Sequence, residues 1–214
     1  GQTPDAWCAD LERAAALGPD HVSAYELTVE EGTNLARRRS KGRLGLPDED
    51  ARAAMFEAVD DALGARGIAR YEISNFARPG RECAHNLAGW RGGDLLGLGA
   101  SAASHVANER WTNVADLEEY ARRVGAGRPA VESTEALDDA TWAAEDLYLG
   151  LRLAAGTPAR ARLLRVAEPA RSRLAAVLDG AREAGLLVES GESVRLTPRG
   201  RLLADEVFAA LLAP

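Results

Sequence analysis

Ile68-Ala-Arg-Tyr-Glu-Ile-Ser74 decides the fold, because it reads as the second strand of a strand–helix–strand unit. Apolar and polar residues alternate through it, as they do in a strand with one buried face. The first strand is His21–Leu27, with Val22, Ala24 and Glu26 on one face and His21, Ser23, Tyr25 and Leu27 on the other. Between the two, Pro47-Asp48-Glu49 opens a long helix. Proline and acids suit a first turn, and Ala54, Phe56, Val59 and Leu63 recur at roughly helical spacing. Gly64 and Gly67 close that helix. A connection of this length joins parallel strands, so the first hundred residues are expected to form part of a parallel α/β sheet or barrel.

Upstream, Thr3-Pro4-Asp5 is a helix start, with Trp7, Leu11, Ala14 and Ala15 as the inward stripe and Gly18-Pro19 as the stop. Downstream, Asp94–Gly99 reads as a short apolar strand leading into the small-residue turn Ala100–Ser104. Asn113 is then expected to cap a helix carrying Ala115, Leu117, Tyr120, Ala121 and Val124. The polar stretch 126–139, with Gly127 and Pro129, reads as a linker between a first part, 1–125, and a last part, 140–214. That last part changes character. Helices at Trp142–Leu151 and Pro169–Ala184 precede a hairpin of Leu186–Glu189 with Ser193–Thr197 around Gly191, and a final helix runs from about Gly200 to Leu212. Helices followed by a small hairpin suggest a winged-helix-like module.

The chain has 214 residues and a formal charge of -7, unevenly spread: 1–139 holds 16 Lys and Arg against 24 Asp and Glu, and 140–214 holds 10 against 9. Neither part reads as a surface for nucleic acid. Arg outnumbers Lys 25 to 1, so runs such as Arg37-Arg38-Arg39 carry little weight as phosphate sites. No apolar run is long enough to span a membrane, and no signal-peptide pattern opens the chain. Two cysteines far apart, Cys8 and Cys83, fit a reducing, cytoplasmic setting and no disulfide framework. The chain starts on Gly rather than Met, which suggests a piece of a longer protein.

Chemistry concentrates in Tyr71–Trp90. The strand is expected to stop near Asn75 and give way to a loop, broken by Pro79-Gly80, that carries Cys83, His85, Asn86 and Trp90. A neutral imidazole such as His85 can ligate iron axially, Asn86 can orient it, and Trp90 can pack a flat ring beside it. The alternative is a surface or structural histidine. Cys83 can offer a thiolate, although Cys-x-His alone is not a specific metal site. His21 and His105 read as structural. Glu26 is either a solvated carboxylate or, facing a barrel interior, a partner for a cationic ligand. Gly97 and Gly99, with Ser101 and Ser104 nearby, form either a tight turn or a ligand contact. There is no Ser/His/Asp triad, paired-carboxylate arrangement or P-loop.

Nearly the whole chain resembles the radical-SAM family of oxygen-independent coproporphyrinogen III oxidases and their heme-chaperone relatives. The likeness is carried by Gly1-Gln2-Thr3, by His21-Val-Ser-Ala-Tyr-Glu-Leu-Thr-Val-Glu-Glu-Gly-Thr33, by Leu46-Pro-Asp-Glu-Asp50 and by Tyr71-Glu-Ile-Ser-Asn-Phe-Ala-Arg-Pro-Gly80. Tyr148-Leu-Gly-Leu-Arg-Leu153 and Leu196-Thr-Pro-Arg-Gly200 continue it. His85-Asn86-x-x-Gly89-Trp90 is similar to the His-Asn-x-x-Tyr-Trp motif that is associated with heme in the chaperone branch. Gly89 stands in place of its Tyr. Gly99-Ala-Ser-Ala-Ala-Ser104 stands where the family has Gly-Pro-Gly-Ala-His-Ser.

The resemblance implies an incomplete parallel (β/α) radical-SAM barrel followed by the winged module. It implies heme contact at His85, Asn86 and Trp90, with His85 on the iron, and S-adenosylmethionine contact near Thr28 and Ala103. It implies a chaperone that binds heme and hands it to acceptor proteins, with a porphyrinogen-decarboxylating oxidase or a winged nucleic-acid-binding module as alternatives. The family's 4Fe–4S cluster needs a Cys-x3-Cys-x2-Cys motif, and two distant cysteines cannot supply three thiolates. Radical chemistry by this chain alone is therefore not expected. Strand edges left open by a partial barrel make a homodimer, or aggregation of the isolated chain, the expected outcome.

Overall fold

The computed structural model describes residues 1–213 as two compact units, Gly1–Cys83 and Ala84 onward. In the first unit, α1 (Pro4–Ala16) starts as its sequence predicts, with Thr3 Oγ1 accepting from the Ala6 amide at 3.2 Å and proline in the first turn. β1 (His21–Ser23) and the short α2 (Asn34–Ser40) follow. α3 (Glu49–Gly64) is capped by Asp48, which accepts from the Ala51 amide at 2.8 Å. Leu11 and Ala15 of α1 bury against Val59 and Leu63 of α3, with Ile68 and Phe76 completing the core. The Trp7 indole donates to the Met55 carbonyl at 2.8 Å, pinning α1 to α3. A fully buried side chain such as Leu63 contributes about 1.5–3 kcal/mol, so this cluster holds the unit together.

The sheet departs from expectation. β2 (Ala69–Glu72) ends early, the chain reverses at Ile73-Ser74, and β3 (Asn75–Ala77) returns between β1 and β2. Both pairings of β3 are antiparallel. β1 and β2 therefore run in one direction, as a strand–helix–strand unit requires, but they are not neighbours, and the parallel sheet is corrected to an antiparallel one. The reversal has a local cause: the Glu72 carboxylate accepts from the Ser74 amide at 2.9 Å and also from the Asn75 side chain. That makes a carboxylate-braced turn.

In the second unit, α4 (Ala84–Trp90) leads to β4 (Ala103–Val106) and β5 (Glu109–Asn113), then α5 (Leu117–Gly125) and β6 (Val131–Ala136). The strands form an antiparallel sheet in the order β4-β5-β6. Asp94–Gly99, expected to be a strand, forms only a bridge between Leu95 and His105, and residues 103–104 belong to β4 rather than to a turn. Asn113 lies in β5, and the cap of α5 is Asp116, which accepts from the Glu119 amide at 2.8 Å. β6 occupies the middle of the stretch expected to be a linker. It is a sheet edge with five of its six residues exposed, so its polarity suits it while hiding it from a hydrophobic reading.

The last part contains α6 (Asp139–Leu151), α7 (Ala159–Leu163), α8 (Ala170–Glu183), β7 (Leu187–Ser190), β8 (Ser193–Leu196), α9 (Pro198–Leu202) and α10 (Ala204–Leu212). Leu147 and Leu151, Leu174 and Leu178, and Phe208 and Leu211 supply the buried faces of α6, α8 and α10. β7 and β8 pair as the predicted hairpin. The Thr-Pro-Arg-Gly run is explained by packing as well as by capping. Thr197 Oγ1 accepts from the Gly200 amide at 2.9 Å, and a side chain at Gly200 would meet the Leu186 carbonyl at 1.9 Å.

Candidate functional site

His85 lies in a helix rather than in the expected loop. Ala84, Leu87 and Ala88 favour α4, and Gly92, in the left-handed region at φ 72°, follows its end. A side chain at Gly92 would meet Asp146 Oδ1 at 2.8 Å and the Trp142 ring at 3.4 Å, so the turn after α4 has room for glycine alone. Burial raises the Asp146 pKa against the pull of Arg162, whose guanidinium lies 3.1 Å away.

Helical geometry sorts the motif onto two faces. His85 is exposed, and Gly89, four residues on, shares its face. Asn86 and Trp90, also four apart, share a second face and are half-buried. The Trp90 ring lies under the Arg152 guanidinium, 4.4 Å from its centroid, and its Nε1 is buried without a hydrogen bond. Trp90 therefore anchors α4 instead of stacking beside His85. A side chain at Gly89 would meet Leu95 Cδ1 at 3.3 Å, so Leu95 crowds the place where the related motif has Tyr. Leu95 Cδ1 thus lies over the side-chain position of Gly89 on the face that His85 shares.

Tyr71–Asn75, the other half of the same sequence block, is interior. Glu72 is 0% exposed and Asn75 2%. Asn75 accepts from the Ser23 hydroxyl and donates to Glu72 and, at 3.3 Å, to the Tyr25 oxygen. His21 hydrogen-bonds the Tyr71 hydroxyl at 2.9 Å, which agrees with a structural role. Arg70 was not singled out by its sequence, yet it is the hub of this region. Its guanidinium sits 4.4 Å from both the Phe56 and the Phe76 ring centroids, bonds Asp60 at 2.8 Å and caps the carbonyl of Ile73.

The remaining candidates are placed as follows. Glu26 is exposed and accepts from Arg52 at 2.7 Å, which raises the Arg52 pKa; it is a solvated ion pair, not an interior carboxylate. Thr28 is exposed in the irregular run after β1, and Ala103 is exposed at the start of β4. His105 stacks on Trp142 with centroids 4.5 Å apart, as a structural histidine would. The glycine segment is a tight turn: Ser104 Oγ accepts from the Gly97 amide at 2.9 Å, the Tyr120 oxygen from the Gly99 amide at 3.0 Å, and Asn113 donates to both glycine carbonyls. Asn113 and Tyr120 were legible as polar residues but not as turn-holders, because their target is remote in sequence. Ser101 takes φ 61° where the related motif has Gly. Cys8 and Cys83 are half-buried and free, and the described residues contain no group of three or more His, Cys, Asp or Glu arranged for a metal ion. This donor set does not fit a 4Fe–4S cluster.

Residues 137–203 match the HemN C-terminal domain. The fold is shared with a solved structure described as "Coproporphyrinogen III oxidase (HemN) from Escherichia coli is a Radical SAM enzyme", at a TM-score of 0.74 and 21% identity, over 98% of this chain and 52% of that one.

The relatives narrow the class further. The chain is 42% identical to the heme chaperone HemW of Mycobacterium tuberculosis (strain ATCC 25618 / H37Rv) over 212 residues, 99% of this chain and 52% of the relative. It is 34% identical to HemW of Bacillus subtilis (strain 168), over 99% of this chain and 56% of the relative. The chain thus spans about half the length of the curated relatives it matches. The resemblance read from the sequence holds: along nearly its whole length the chain is similar in sequence to HemW heme chaperones, and it shares its fold with the HemN structure.

Proposed function

We propose that the chain is the C-terminal part of a radical-SAM-type heme chaperone, which binds heme and delivers it to acceptor proteins. The observation that carries this reading is the exposed imidazole of His85, displayed on a short helix that Trp90 and Arg152 hold in place, in a chain whose full-length likeness is to HemW proteins. An exposed histidine can give an axial nitrogen to the iron of a planar macrocycle. An open contact also suits transfer, since heme held at one face can be released without unfolding. Asn86 would set the approach beside His85, and Trp90 acts through packing rather than by touching heme.

The finer architecture belongs to the same proposal. Residues 1–125 are read as part of a radical-SAM barrel, and residues from 140 on as a winged-helix-like domain, supported by the domain match that begins at 137. Thr28 and Ala103 are the S-adenosylmethionine contacts of a complete barrel. The 140–214 charge of 10 Lys and Arg against 9 Asp and Glu speaks against a nucleic-acid partner. No helix among the described residues is long and apolar enough to cross a membrane, and a cytoplasmic setting is proposed on the cysteine usage. The second reading, a porphyrinogen-decarboxylating oxidase, is favoured by the shared fold with the HemN structure. Product analysis with a complete parent protein separates the two, because turnover of coproporphyrinogen would overturn the chaperone reading.

The direct test is a hemin titration followed by visible absorption, on the chain and on His85→Ala. Saturable one-site binding with a histidine-ligated Soret band that is lost in the variant is expected. Equal binding by both overturns the assignment of His85.

A further inference from the structure

We propose that Asp146 is a positioning residue for the heme contact: pressed against the turn that ends α4 and held there by Arg162, it fixes the direction in which that helix presents His85. The inference rests on the reading of His85 as the axial ligand. α4 has only seven residues, and a helix so short is marginal in water, so its place is set by what holds its ends. Its C-terminal end is closed by the backbone alone. The Gly93 amide donates to the Ala88 carbonyl at 2.8 Å and the Gly92 amide to the Gly89 carbonyl at 3.0 Å, with Gly92 in the left-handed region. This turn carries no side chains, and α6 fills the space they would take.

Trp142, Asp146 and Gly150 recur at every fourth residue of α6 and so share one face. The first two close on Gly92, where an added side chain would meet Asp146 Oδ1 at 2.8 Å and the Trp142 ring at 3.4 Å. Gly150 serves the same row from its other end. A side chain there would meet Arg162 Nη1 at 2.5 Å, so its absence admits the guanidinium of α7. Arg162 then holds Asp146 twice, with Nε 3.1 Å from Oδ2 and Nη1 donating to the backbone carbonyl. The two side chains are only 15% and 18% exposed, and the charge of Arg165 acts on the same carboxylate. Swinging the carboxylate away from Gly92 would leave a largely buried guanidinium without its partner. One oxygen is therefore committed to Arg162 and the other bears on the turn, which makes Asp146 a fixed stop. His85 lies about two turns away on the same short helix, so a displacement of the turn is carried to the imidazole. Groups that orient a metal ligand from outside its coordination sphere set the affinity of the site.

Hemin titrations of wild type, Gly92→Ala, Asp146→Ala, the two changes combined, and Asp146→Asn test this. His85→Ala is the reference for lost ligation, and circular dichroism checks folding. Gly92→Ala is expected to weaken hemin binding about tenfold and to alter the histidine-ligated Soret band at saturation, with the helical signal retained. Removing Asp146 in the same chain makes room for the added methyl, so the combined variant should bind more tightly than Gly92→Ala. Asp146→Asn keeps an oxygen for Arg162 and the bulk beside the turn, and should bind close to wild type, whereas Asp146→Ala should not. If Gly92→Ala fails to fold, the two Asp146 variants give the same comparison. Wild-type binding by Gly92→Ala and Asp146→Ala, beside its loss in His85→Ala, overturns the clamp alone. A combined variant no better than Gly92→Ala overturns it too, because Asp146 is then not what meets the turn. Equal binding by wild type and His85→Ala overturns the heme reading and the clamp with it.

Discussion

Tyr71–Ala77 and Ala84–Trp90 sit in one short block and are equally rich in polar and aromatic residues, yet the chain uses them oppositely. In the first, Glu72 and Asn75 are buried and satisfied by one another, by Ser23 and by the Ser74 amide. In the second, the imidazole is left in solvent while its aromatic neighbour is packed. A buried polar network specifies the fold, because each member left unpaired carries a desolvation penalty. An exposed ligand atom on a fixed helix costs the fold little and remains available. Polar density in a sequence therefore marks where chemistry is possible, and burial decides whether that chemistry is internal or offered outward.

The contrast can be broken by mutation, beginning where the effect is largest. Arg70 has a side chain only 5% exposed, and Arg70→Ala removes its ion pair with Asp60 and opens a gap between two phenylalanine rings. A loss of about 3–5 kcal/mol is expected in urea denaturation, and a loss below about 1 kcal/mol would show that the hub is dispensable. Asn75→Ala removes one hydrogen bond from buried Glu72 and one from Ser23 and is expected to cost about 1–3 kcal/mol by the same measurement. Gly89→Tyr should cost about 1–2 kcal/mol through Leu95, and Leu95→Ala in the same chain should recover part of it. A Gly89→Tyr protein as stable as wild type would mean that the face beside His85 is roomier than described.

A smaller effect concerns acid. The Thr141 backbone amide, bonded to the Asp138 carboxylate at 2.7 Å, lowers its pKa. A carboxylate whose folded pKa is depressed stabilises the fold above its unfolded value and loses that contribution as pH falls through the folded one. Asp138→Asn keeps a capping oxygen without the titration, so its Tm should fall less than that of wild type between about pH 5 and pH 2. Identical acid profiles would contradict the cap's charge dependence.

Much of the helical framework was legible because it rests on local chemistry. Thr3 with Pro4, and Asp48, announce helix starts that the structure keeps, whereas the last helix, expected from about Gly200, starts at Pro198 under a Thr197 cap and is broken at Leu203. The hairpin around Gly191 was legible for the same reason. β3 was not, because three residues carry no period and the reversal depends on a carboxylate bonding an amide two residues on. β6 was not, because an exposed edge strand needs no apolar face. At the site, the motif itself could be read from the sequence, but its division into two helix faces could not, since that followed from α4 being helical. Arg70 escaped notice altogether. One arginine among 25 says nothing until two rings are found on either side of it.

The measurement that tests the central claim most directly is a parallel hemin titration and thermal melt of wild type, His85→Ala and Asn75→Ala. The expected result is a double separation. His85→Ala loses one-site binding while its stability stays within about 0.5 kcal/mol of wild type, and Asn75→Ala loses stability while folded protein still binds heme. Undiminished binding by His85→Ala, or a loss of stability in it comparable to that of Asn75→Ala, would contradict the account.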